Sequence, residues 1–412
     1  MRALCWNGIN DLRVETVEDP KILDPGDVIV KVTLSSVCGS DLHLLDGYVP
    51  AMRSGDVLGH EFLGEVVETG SGVSKFTKGD RVIVISIIGC GHCWFCDNQL
   101  YSLCDNSNAT PGMEETVYGH AGAGIFGYSH AFGGYAGSHA DYIRVPYAET
   151  NVFKVPDGVP DETAVFVSDA VPTGWMAADL ADIQGGDVVA VWGAGGVGLM
   201  AMTAARIMGA ERVIAIDRFP DRLRKAHAHA GADILNYEKV DVHDALMEMT
   251  GGRGPDRCID AVGLEAHGTG PGYLYDRAKQ ALQLETGRAT VLRQAVRACR
   301  KGGTVSVIGV YGGFVDTFPI GALMNKALTM RGGQQHGQRY VPTLFEHIRE
   351  GRLDPAYLMT HRWPLERGAE GYGMFKHKTD DCLRVVFDPS VRPEPGAGAG
   401  VGANNTTMGG PA

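Results

Sequence analysis

The chain has few positive charges for its length and no run of lysines and arginines. Its 37 basic residues are outnumbered by 49 acidic ones, so the formal net charge is −12. Because nucleic acids and anionic membranes attract basic clusters, the sequence argues against both as partners. The N-terminus, MRALCWNG, also lacks the apolar segment of a secretory signal. These absences favour a cytoplasmic protein that handles small molecules.

An uninterrupted apolar run is missing as well. Residues 188–205 carry no charge over eighteen positions, a length that raises the question of a membrane helix. Four glycines interrupt this stretch, at Gly193, Gly195, Gly196 and Gly198. They divide it into a β-branched strand and a small-residue helix, so we predict a buried strand, turn and helix instead of a membrane span.

The cysteines indicate a metal site. Nine cysteines, an odd number, indicate a reducing compartment in which thiols stay free to bind metal. Four of them follow the spacing C-x2-C-x2-C-x7-C, at Cys90, Cys93, Cys96 and Cys104. This spacing is typical of a closed tetrahedral zinc site, which is structural because every position is taken. Disulfides or buried free thiols are the alternatives.

At 412 residues, the chain exceeds what one hydrophobic core usually supports, so two domains are expected. Up to about residue 150, Val- and Ile-rich runs alternate with turns and predict a small all-β, barrel-like unit. These runs are VIVKVTL, GEVVETG, DRVIVISII and ADYIRVP.

A glycine-loaded segment lies between Asp105 and Tyr147, with the sequence GHAGAGIFGYSHAFGGYAG. It is too rich in glycine for regular structure, and we expect a long ordered loop near the active cleft or at a subunit contact. The segment 119–139 carries His120, His130 and His139. No ligand spacing joins them, so surface or hydrogen-bonded roles are favoured over metal binding.

From about residue 170, strands alternate with helices, which predicts an α/β fold with a doubly wound parallel sheet. The six predicted strands are VVAVWG, RVIAID, DILN, RCIDAV, TVSVIGV and ALTMRG. The first helix of this unit should end near Gly209, and the next should begin at Pro220 and end at Gly231. We also expect TVSVIGV to be able to pair across a dimer.

The last part of the chain holds a helix, VPTLFEHIREG, and a strand, CLRVVFD, which we expect to return to the first domain. The low-complexity tail cannot bury enough apolar surface to become ordered. The predicted boundaries are therefore 1–169, with a zinc lobe at about 89–105, then 170–333, 334–390 and a disordered tail at 391–412.

A nucleotide-binding motif follows the first strand of the second unit. Residues 193–198 read G-x-G-x-x-G, and the three motif glycines are Gly193, Gly195 and Gly198, with Gly196 and Val197 between the last two. Such a turn lets the backbone approach a pyrophosphate at a helix N-terminus.

Nineteen residues later, Asp217 ends the next strand. Its carboxylate would accept hydrogen bonds from the ribose hydroxyls and repel a 2′-phosphate, which favours NAD over NADP. A plain strand-end cap is the alternative for Asp217, and Arg218 beside it leaves room for NADP.

Two further motifs complete a family resemblance: CGSDLH at 38–43 and GHEFLGEVVETG at 59–70. Together with the four-cysteine lobe and VWGAGGVG, they resemble the zinc-dependent medium-chain alcohol dehydrogenases over about residues 1–388. The resemblance implies a GroES-like β-barrel catalytic domain beside a Rossmann domain that binds NAD. It also implies one catalytic and one structural Zn²⁺ per chain, and a homodimer or homotetramer.

The family's catalytic zinc ligands map onto Cys38 and His60, with the third ligand in the segment VSDAVPTG. Many members have cysteine there, whereas this chain has Asp169. In this it is similar to the glutathione-independent formaldehyde dehydrogenases, as it is in DAVGLEAHG at 260–268 and in ADYIRVPY. Aspartate binds zinc through oxygen, and three protein ligands leave one coordination position open for a substrate.

The resemblance also implies roles for neighbouring residues. Ser40 and His43 match the relay that carries the substrate proton to solvent, and Glu61 resembles an acid that approaches zinc transiently during ligand exchange. Three weaker cofactor contacts are implied for Arg222, Val310 and Arg384. For each of these three, a packing or solvent-exposed role is the alternative.

The implied reaction is oxidation of an alcohol or aldehyde hydrate, in which a zinc-activated alkoxide transfers hydride to the nicotinamide. Formaldehyde is a candidate substrate, and exchangeable NAD is preferred over a retained cofactor. A polyol, 2,3-butanediol or threonine dehydrogenase is the alternative within the family. A non-catalytic nucleotide-binding or redox-sensing zinc protein is the alternative outside it.

Overall fold

The structure, a computed structural model, describes residues 1–263, 289–312 and 315–392. The predicted tail from residue 393 onward and the end of DAVGLEAHG, residues 264–268, lie outside these ranges. No helix within the described ranges is long and apolar enough to cross a membrane.

The second half of the chain forms a six-stranded parallel sheet. Its strands, in chain order, are β11 Val188–Trp192, β12 Arg212–Asp217, β13 Asp233–Asn236, β14 Arg257–Asp260, β15 Thr304–Val307 and β16 Thr329–Gly332. Their order across the sheet is β13-β12-β11-β14-β15-β16. This is the doubly wound order, and it opens a crevice at the carboxyl ends of β11 and β14, where the order reverses.

All six predicted strands are present, and the doubly wound fold is confirmed. RVIAID and DILN match residue for residue, whereas the other four strands are shorter than predicted. The expectation that TVSVIGV pairs across a dimer is wrong, because β15 is hydrogen-bonded to β14 on one side and β16 on the other. The free edge on that side of the sheet is β16.

Helices cover both faces of the parallel sheet. The helices of this part of the chain are α6 Ala170–Leu180, α7 Gly196–Ile207, α8 Pro220–Ala230, α9 Val242–Met249, α10 Thr290–Ala298 and α11 Ile320–Asn325. Helix α8 begins and ends where predicted, and Gly231 closes it with φ +58°. Buried side chains of α6, α7 and α8 pack on one face, and those of α9 and α10 on the other.

The first part of the chain is built mainly of antiparallel sheets, as predicted. Its strands are β1 Arg2–Gly8, β2 Asp11–Thr16, β3 Val28–Ser36, β4 Asp56–Val57, β5 Glu61–Thr69, β6 Arg81–Val84, β7 Ile87–Ile88, β8 Gly124–Ile125, β9 Tyr142–Val145 and β10 Val152–Lys154. A seven-stranded sheet contains the order β10-β6-β5-β3, with β9 also paired to β3.

The chain returns to this sheet near its C-terminus. Two late strands, β17 His361–Trp363 and β18 Val385–Phe387, extend it beyond β3. Strand β18 pairs antiparallel with β3 through Val386 and Ser36. The late helices are α12 Gly337–Arg349 and α13 Gly368–His377.

The short helices of the first part connect its strands. They are α1 Gly39–Leu45, α2 Trp94–Asp97, α3 Gly112–Tyr118, α4 Ala148–Asn151 and α5 Asp161–Ala164. The glycine-loaded stretch 119–137 was expected to lack regular structure, but it contains β8 and a 3-10 turn, His130–Phe132. Helix α3 forms just before the glycine run, and Gly119 ends it at φ +80°.

Candidate active site

A cavity of about 1470 Å³ lies where the β-rich part meets the parallel sheet. At one end it is lined by Cys38, His60 and Asp169, and elsewhere by the glycine turn that follows β11. The cavity reaches the carboxyl ends of β11 and β14, the place where doubly wound sheets bind ligands. One space therefore joins the predicted metal ligands to the predicted nucleotide site.

Three different elements bring the predicted ligands together. Cys38 caps α1, His60 directly precedes β5, and Asp169 caps α6. Cys38 Sγ is 3.4 Å from Asp169 Oδ2, and His60 Nε2 is 3.7 Å from the same oxygen. All three side chains are buried, and their ligand atoms lie within 4.8 Å of one another.

The separations fit a shared zinc ion. Bond lengths of about 2.0–2.3 Å to nitrogen, oxygen and sulfur in a tetrahedron put the ligand atoms about 3.3–3.8 Å apart. The measured 3.4 and 3.7 Å fall in that range. Thiolate, imidazole and carboxylate are also the ligand types that zinc uses in catalytic sites, where three protein ligands leave one position open.

Asp41 orients His60, and the sequence analysis did not single it out. Its Oδ1 lies 3.1 Å from His60 Nδ1, and its Oδ2 accepts a hydrogen bond from the Cys38 N–H at 2.9 Å. A carboxylate on one ring nitrogen leaves the other nitrogen for a metal. The signal was in the sequence, since Asp41 belongs to the CGSDLH motif itself.

Asp169 is oriented by two other residues that the sequence analysis missed. Its Oδ1 accepts hydrogen bonds from Ser86 Oγ and Gln335 Nε2, each at 3.0 Å. The other oxygen, Oδ2, is left facing Cys38 and His60. These partners lie 83 and 166 residues away in the chain, so no local pattern pointed to them.

The charges around His60 suit a cation. Burial opposes a charged imidazole, but the Asp41 carboxylate and the neighbouring Asp169 and Cys38 side chains outweigh burial and raise the pKa of His60 well above its ordinary value. The cluster thus stabilises positive charge at the position where a metal ion would bind.

Of the other predicted catalytic residues, Ser40 and His43 line the cavity beside the ligands. Ser40 Oγ is 3.2 Å from His60 Nε2. Glu61 is fully buried, accepts a hydrogen bond from the Ala170 N–H at 3.0 Å, and lies 3.7 Å from Arg384 Nη1. Burial raises the pKa of Glu61 to about 7, although the Arg384 charge opposes the rise.

The glycine turn has the close approaches that its motif predicts. Gly193 has φ +93°, and a Cβ on Gly198 would lie 1.8 Å from the Gly193 carbonyl oxygen. Strand β11 and helix α7 can therefore pack this closely only with glycine at 198. A Cβ on Gly195 would meet no heavy atom nearer than Arg222 Nη1 at 3.6 Å, so that residue faces open space.

Asp217 ties the turn to the next strand. Its Oδ2 accepts a hydrogen bond from the Ala194 N–H at 2.7 Å, and its Oδ1 accepts from the N–H groups of Arg218 and Phe219. The carboxylate thus caps the strand end, which was the alternative role considered for Asp217. It also lines the cavity. Both features are compatible with a ribose contact.

The remaining predicted cofactor residues also line the cavity. Val197, Arg222 and Val310 contribute to its wall. Arg384 lies against the start of α7, since a Cβ on Gly196 would be 2.7 Å from its Nε, and its Nη1 donates to the Val37 carbonyl at 2.6 Å. This guanidinium therefore stands between the glycine turn and Glu61.

The four-cysteine lobe brings together a second group of side chains that could hold a metal ion. The four Sγ atoms, of Cys90, Cys93, Cys96 and Cys104, lie within 4.8 Å of one another. Two of the separations are 3.9 and 4.0 Å. These values are too long for disulfides and close to the edge of about 3.8 Å expected for a zinc tetrahedron. Backbone N–H groups also donate to the sulfurs of Cys90, Cys93 and Cys104.

The three histidines of the segment 119–139 have hydrogen bonds instead of metal-ligand neighbours. His120 Nδ1 is 3.0 Å from the Ala121 carbonyl oxygen, and His130 Nε2 is 3.0 Å from Asp56 Oδ1. His139 is fully buried. Across the ranges that the structure describes, none of the three belongs to a group able to share a metal ion.

Comparison with known proteins agrees with this geometry. The model of the alcohol dehydrogenase GroES-like domain matches residues 24–157, and that of the zinc-binding dehydrogenases matches residues 196–269. An uncharacterized zinc-type alcohol dehydrogenase-like protein, AdhB of Bacillus subtilis, is 42% identical over 94% of this chain and 100% of its own length. The chain belongs to the zinc-dependent medium-chain alcohol dehydrogenase family.

Two other members of this family are informative. The glutathione-independent formaldehyde dehydrogenase of Pseudomonas aeruginosa is 32% identical over 94% of this chain and 97% of its own length. The alcohol dehydrogenase TADH from Thermus sp. ATN1 has a solved structure that superposes with a TM-score of 0.79 at 33% identity, covering 94% of this chain and 99% of that one. The chain is therefore an oxidoreductase with a GroES-like domain and a Rossmann domain.

Proposed function

We propose that the chain is an NAD-linked, two-zinc dehydrogenase of small primary alcohols or aldehyde hydrates, with formaldehyde hydrate as the leading candidate substrate. The observation that carries the proposal is the shared cavity, in which Cys38, His60 and Asp169 face the same space as the glycine turn. Similarity to a formaldehyde dehydrogenase and the aspartate at position 169 support the choice of substrate.

Different residues would hold the zinc ion and the NAD. Zinc held by Cys38, His60 and Asp169 would supply a Lewis acid that makes a substrate hydroxyl easier to deprotonate. The turn at 193–198 and the Arg384 guanidinium would hold the pyrophosphate of NAD, whose nicotinamide supplies the hydride acceptor.

The chain's own side chains handle the proton. The Ser40 hydroxyl, beside the ligand cluster, accepts the substrate proton and donates its own toward the outer part of the cavity. His43 lines the same cavity and would pass the proton on toward solvent. This role suits an imidazole, which can both accept and donate a proton.

The cofactor preference rests on Asp217. Its carboxylate lies at the end of β12 and lines the cavity, where it would repel the 2′-phosphate of NADP. Arg218 lies next to it, but its Nη1 is 3.6 Å from Glu238 Oε1, which partly neutralises its charge. Both observations support NAD over NADP, and we propose that the NAD is exchangeable. We further propose a cytoplasmic homo-oligomer.

A substrate panel tests the proposal. The zinc-loaded protein is assayed for nicotinamide reduction with formaldehyde, short primary alcohols, 2,3-butanediol, polyols and threonine, each with NAD and with NADP. We expect turnover with formaldehyde or short alcohols, at least tenfold faster with NAD, abolished by a chelator and restored by zinc. Asp169→Ala provides the inactive control.

Two results would contradict the proposal in different ways. If only diols, polyols or threonine were turned over, the proposed substrate would be wrong, but the proposed dehydrogenase activity would stand. No reduction of either nucleotide by a protein that retains two zinc ions per chain would instead favour the non-catalytic alternative.

A further inference from the structure

A chain of four buried, hydrogen-bonded polar side chains lies behind the predicted ligand His60, on the Nδ1 side of its ring. Ser138 Oγ is 2.7 Å from Ser35 Oγ, which is 2.8 Å from His139 Nδ1. His139 Nε2 is in turn 3.1 Å from the Tyr372 hydroxyl. All four side chains are fully buried.

The Tyr372 hydroxyl links this chain to the ligand. It faces the Asp41 carboxylate, and burial together with that negative charge raises the pKa of Tyr372 well above its ordinary value. Asp41 in turn lies 3.1 Å from His60 Nδ1 and accepts from the Cys38 N–H. Asp41 therefore contacts two metal ligands at once.

Both ring nitrogens of His139 are paired with hydroxyl groups, Nε2 with that of Tyr372 and Nδ1 with that of Ser35. Because a hydroxyl can donate or accept, a neutral imidazole is satisfied at both nitrogens. Desolvation lowers the pKa of His139 to about 4, which agrees with a neutral ring.

His139 also packs directly on the backbone that carries the ligand. Gly59, the residue before His60, has φ +97°, and a Cβ there would lie 2.4 Å from His139 Nδ1. The backbones run side by side, because the N–H of Ser138 donates to the Gly59 carbonyl and that of His139 to the Leu58 carbonyl, each at 2.8 Å. The ring thus fills the space that glycine leaves open.

Burying such a network costs desolvation free energy. Buried polar groups lose their hydration and must be paired, whereas apolar side chains would fill the same volume without that requirement. The partners come from β3, from the segment after β8 and from α13, so three distant parts of the sequence converge on one metal ligand. Convergence of this kind is what holds a ligand ring in one orientation.

We propose that His139 and Tyr372 are positioning residues for the catalytic metal. They fix the Gly59–His60 backbone and the Asp41 carboxylate, so that the imidazole presents Nε2 to the metal. This inference rests on the proposed function, because it requires that Cys38, His60 and Asp169 bind the catalytic zinc.

The test is the rate at which each zinc ion leaves the folded protein in the presence of a chromogenic chelator. Tyr372→Phe removes only the hydroxyl, and His139→Leu removes both ring nitrogens. For both variants we expect the catalytic zinc to be released at least tenfold faster than in the wild type, while the four-cysteine zinc leaves at the wild-type rate. That second zinc reports correct folding within the same chain.

Two further variants separate positioning from general packing. Tyr340→Phe deletes another buried hydroxyl, which donates to Asp179 Oδ2 at 2.8 Å far from the metal, and should release catalytic zinc at the wild-type rate. His139→Gln keeps a donor directed toward Tyr372 and should recover most of the retention that His139→Leu loses.

The outcomes are distinguishable. Release from Tyr372→Phe and His139→Leu within twofold of the Tyr340→Phe rate would overturn the positioning role, even if the wild type binds two zinc ions and turns over substrate. A wild-type protein that binds only the four-cysteine zinc would overturn the inference together with the proposed function.

Discussion

Asp169 divides its two oxygens between different tasks. Oδ1 is held by Ser86 and Gln335, and Oδ2 faces Cys38 and His60. A cysteine at this position would offer a single sulfur and would leave both partners without that bond. The aspartate therefore belongs to a local arrangement, in which the supporting residues suit an oxygen ligand.

At the residue scale, Gly198→Ala tests the close packing of β11 on α7. A Cβ at this position would lie 1.8 Å from a backbone oxygen, so the turn must move. We expect the free energy of unfolding to fall by about 1–3 kcal/mol, measured by chemical denaturation.

Gly195→Ala is the matched control. Its Cβ would meet only the end of the Arg222 side chain at 3.6 Å, so folding should be unaffected while NADH binding, followed by fluorescence titration, weakens. Equal destabilisation by the two substitutions would contradict this account of the turn.

The candidate metal ligands could be predicted from the sequence, but the residues that hold them in place by hydrogen bonds could not. The four lobe cysteines could be chosen from their spacing, and Cys38, His60 and Asp169 from the family that their motifs resemble. Gln335 and Tyr372 could not be chosen, because each meets the site only after the chain has crossed between the two parts of the molecule. Hydrogen bonds across 166 or 233 residues leave no periodic pattern.

At the scale of elements, the strands of the parallel sheet were the most predictable part. The four central strands, β11, β12, β14 and β15, are mostly buried, so they appear as continuous apolar runs whatever their neighbours are. DRVIVISII was less predictable, because it forms two strands, β6 and β7, with Ile85 and Ser86 turning away to bond with the backbone of Asn151 and Ser168. Composition alone does not reveal such a break.

Helix α3 was missed for a related reason. The glycine run that starts at Gly119 suggested irregular structure for its surroundings, yet the seven preceding residues form a helix. Glu114 anchors it by accepting hydrogen bonds from Asn108 Nδ2 and the Gly122 N–H, at 2.8 and 3.0 Å.

Cys96→Ser tests the element that carries the four cysteines. Losing one thiolate should release one zinc ion per chain and lower the thermal midpoint sharply, because structural zinc contributes folding free energy, about 10–16 kcal/mol in zinc-finger peptides. Metal analysis and calorimetry measure both effects.

Cys5→Ser, at a buried cysteine outside both metal groups, is the control and should keep two zinc ions. If Cys96→Ser also kept both ions and the wild-type midpoint, the lobe would not be a structural zinc site.

For the whole molecule, the decisive feature is that the chain builds one cavity from both of its parts. Strand β18 returns to pair with β3, and this places Arg384 between the metal ligands and the glycine turn. The proposed hydride transfer needs both reactants within contact distance, and this return of the chain brings the two candidate binding sites together.

The outer edge of the parallel sheet provides a test of assembly. Strand β16 is exposed along its length and includes the exposed Met330, and the preceding helix α11 carries the exposed apolar side chains Ile320 and Met324. Because unpaired edges and apolar patches favour association, we expect a dimer through this edge.

Met324→Lys should shift the mass measured by light scattering toward the monomer. The control Leu23→Lys alters a side chain that is equally exposed, at 69%, but lies elsewhere, and it should leave the assembly unchanged. A dimer that survives Met324→Lys but dissociates with Leu23→Lys would place the interface on another surface.

We propose that Cys38, His60 and Asp169 hold one zinc ion facing the bound dinucleotide. The most direct test is the zinc content of Asp169→Ala, measured beside the wild type and beside Asp179→Ala, a change ten residues further along the chain. We expect two zinc ions per chain in the wild type and in Asp179→Ala, and one in Asp169→Ala, with loss of NAD reduction. Two zinc ions and undiminished turnover in Asp169→Ala would show that these three residues do not share a catalytic zinc.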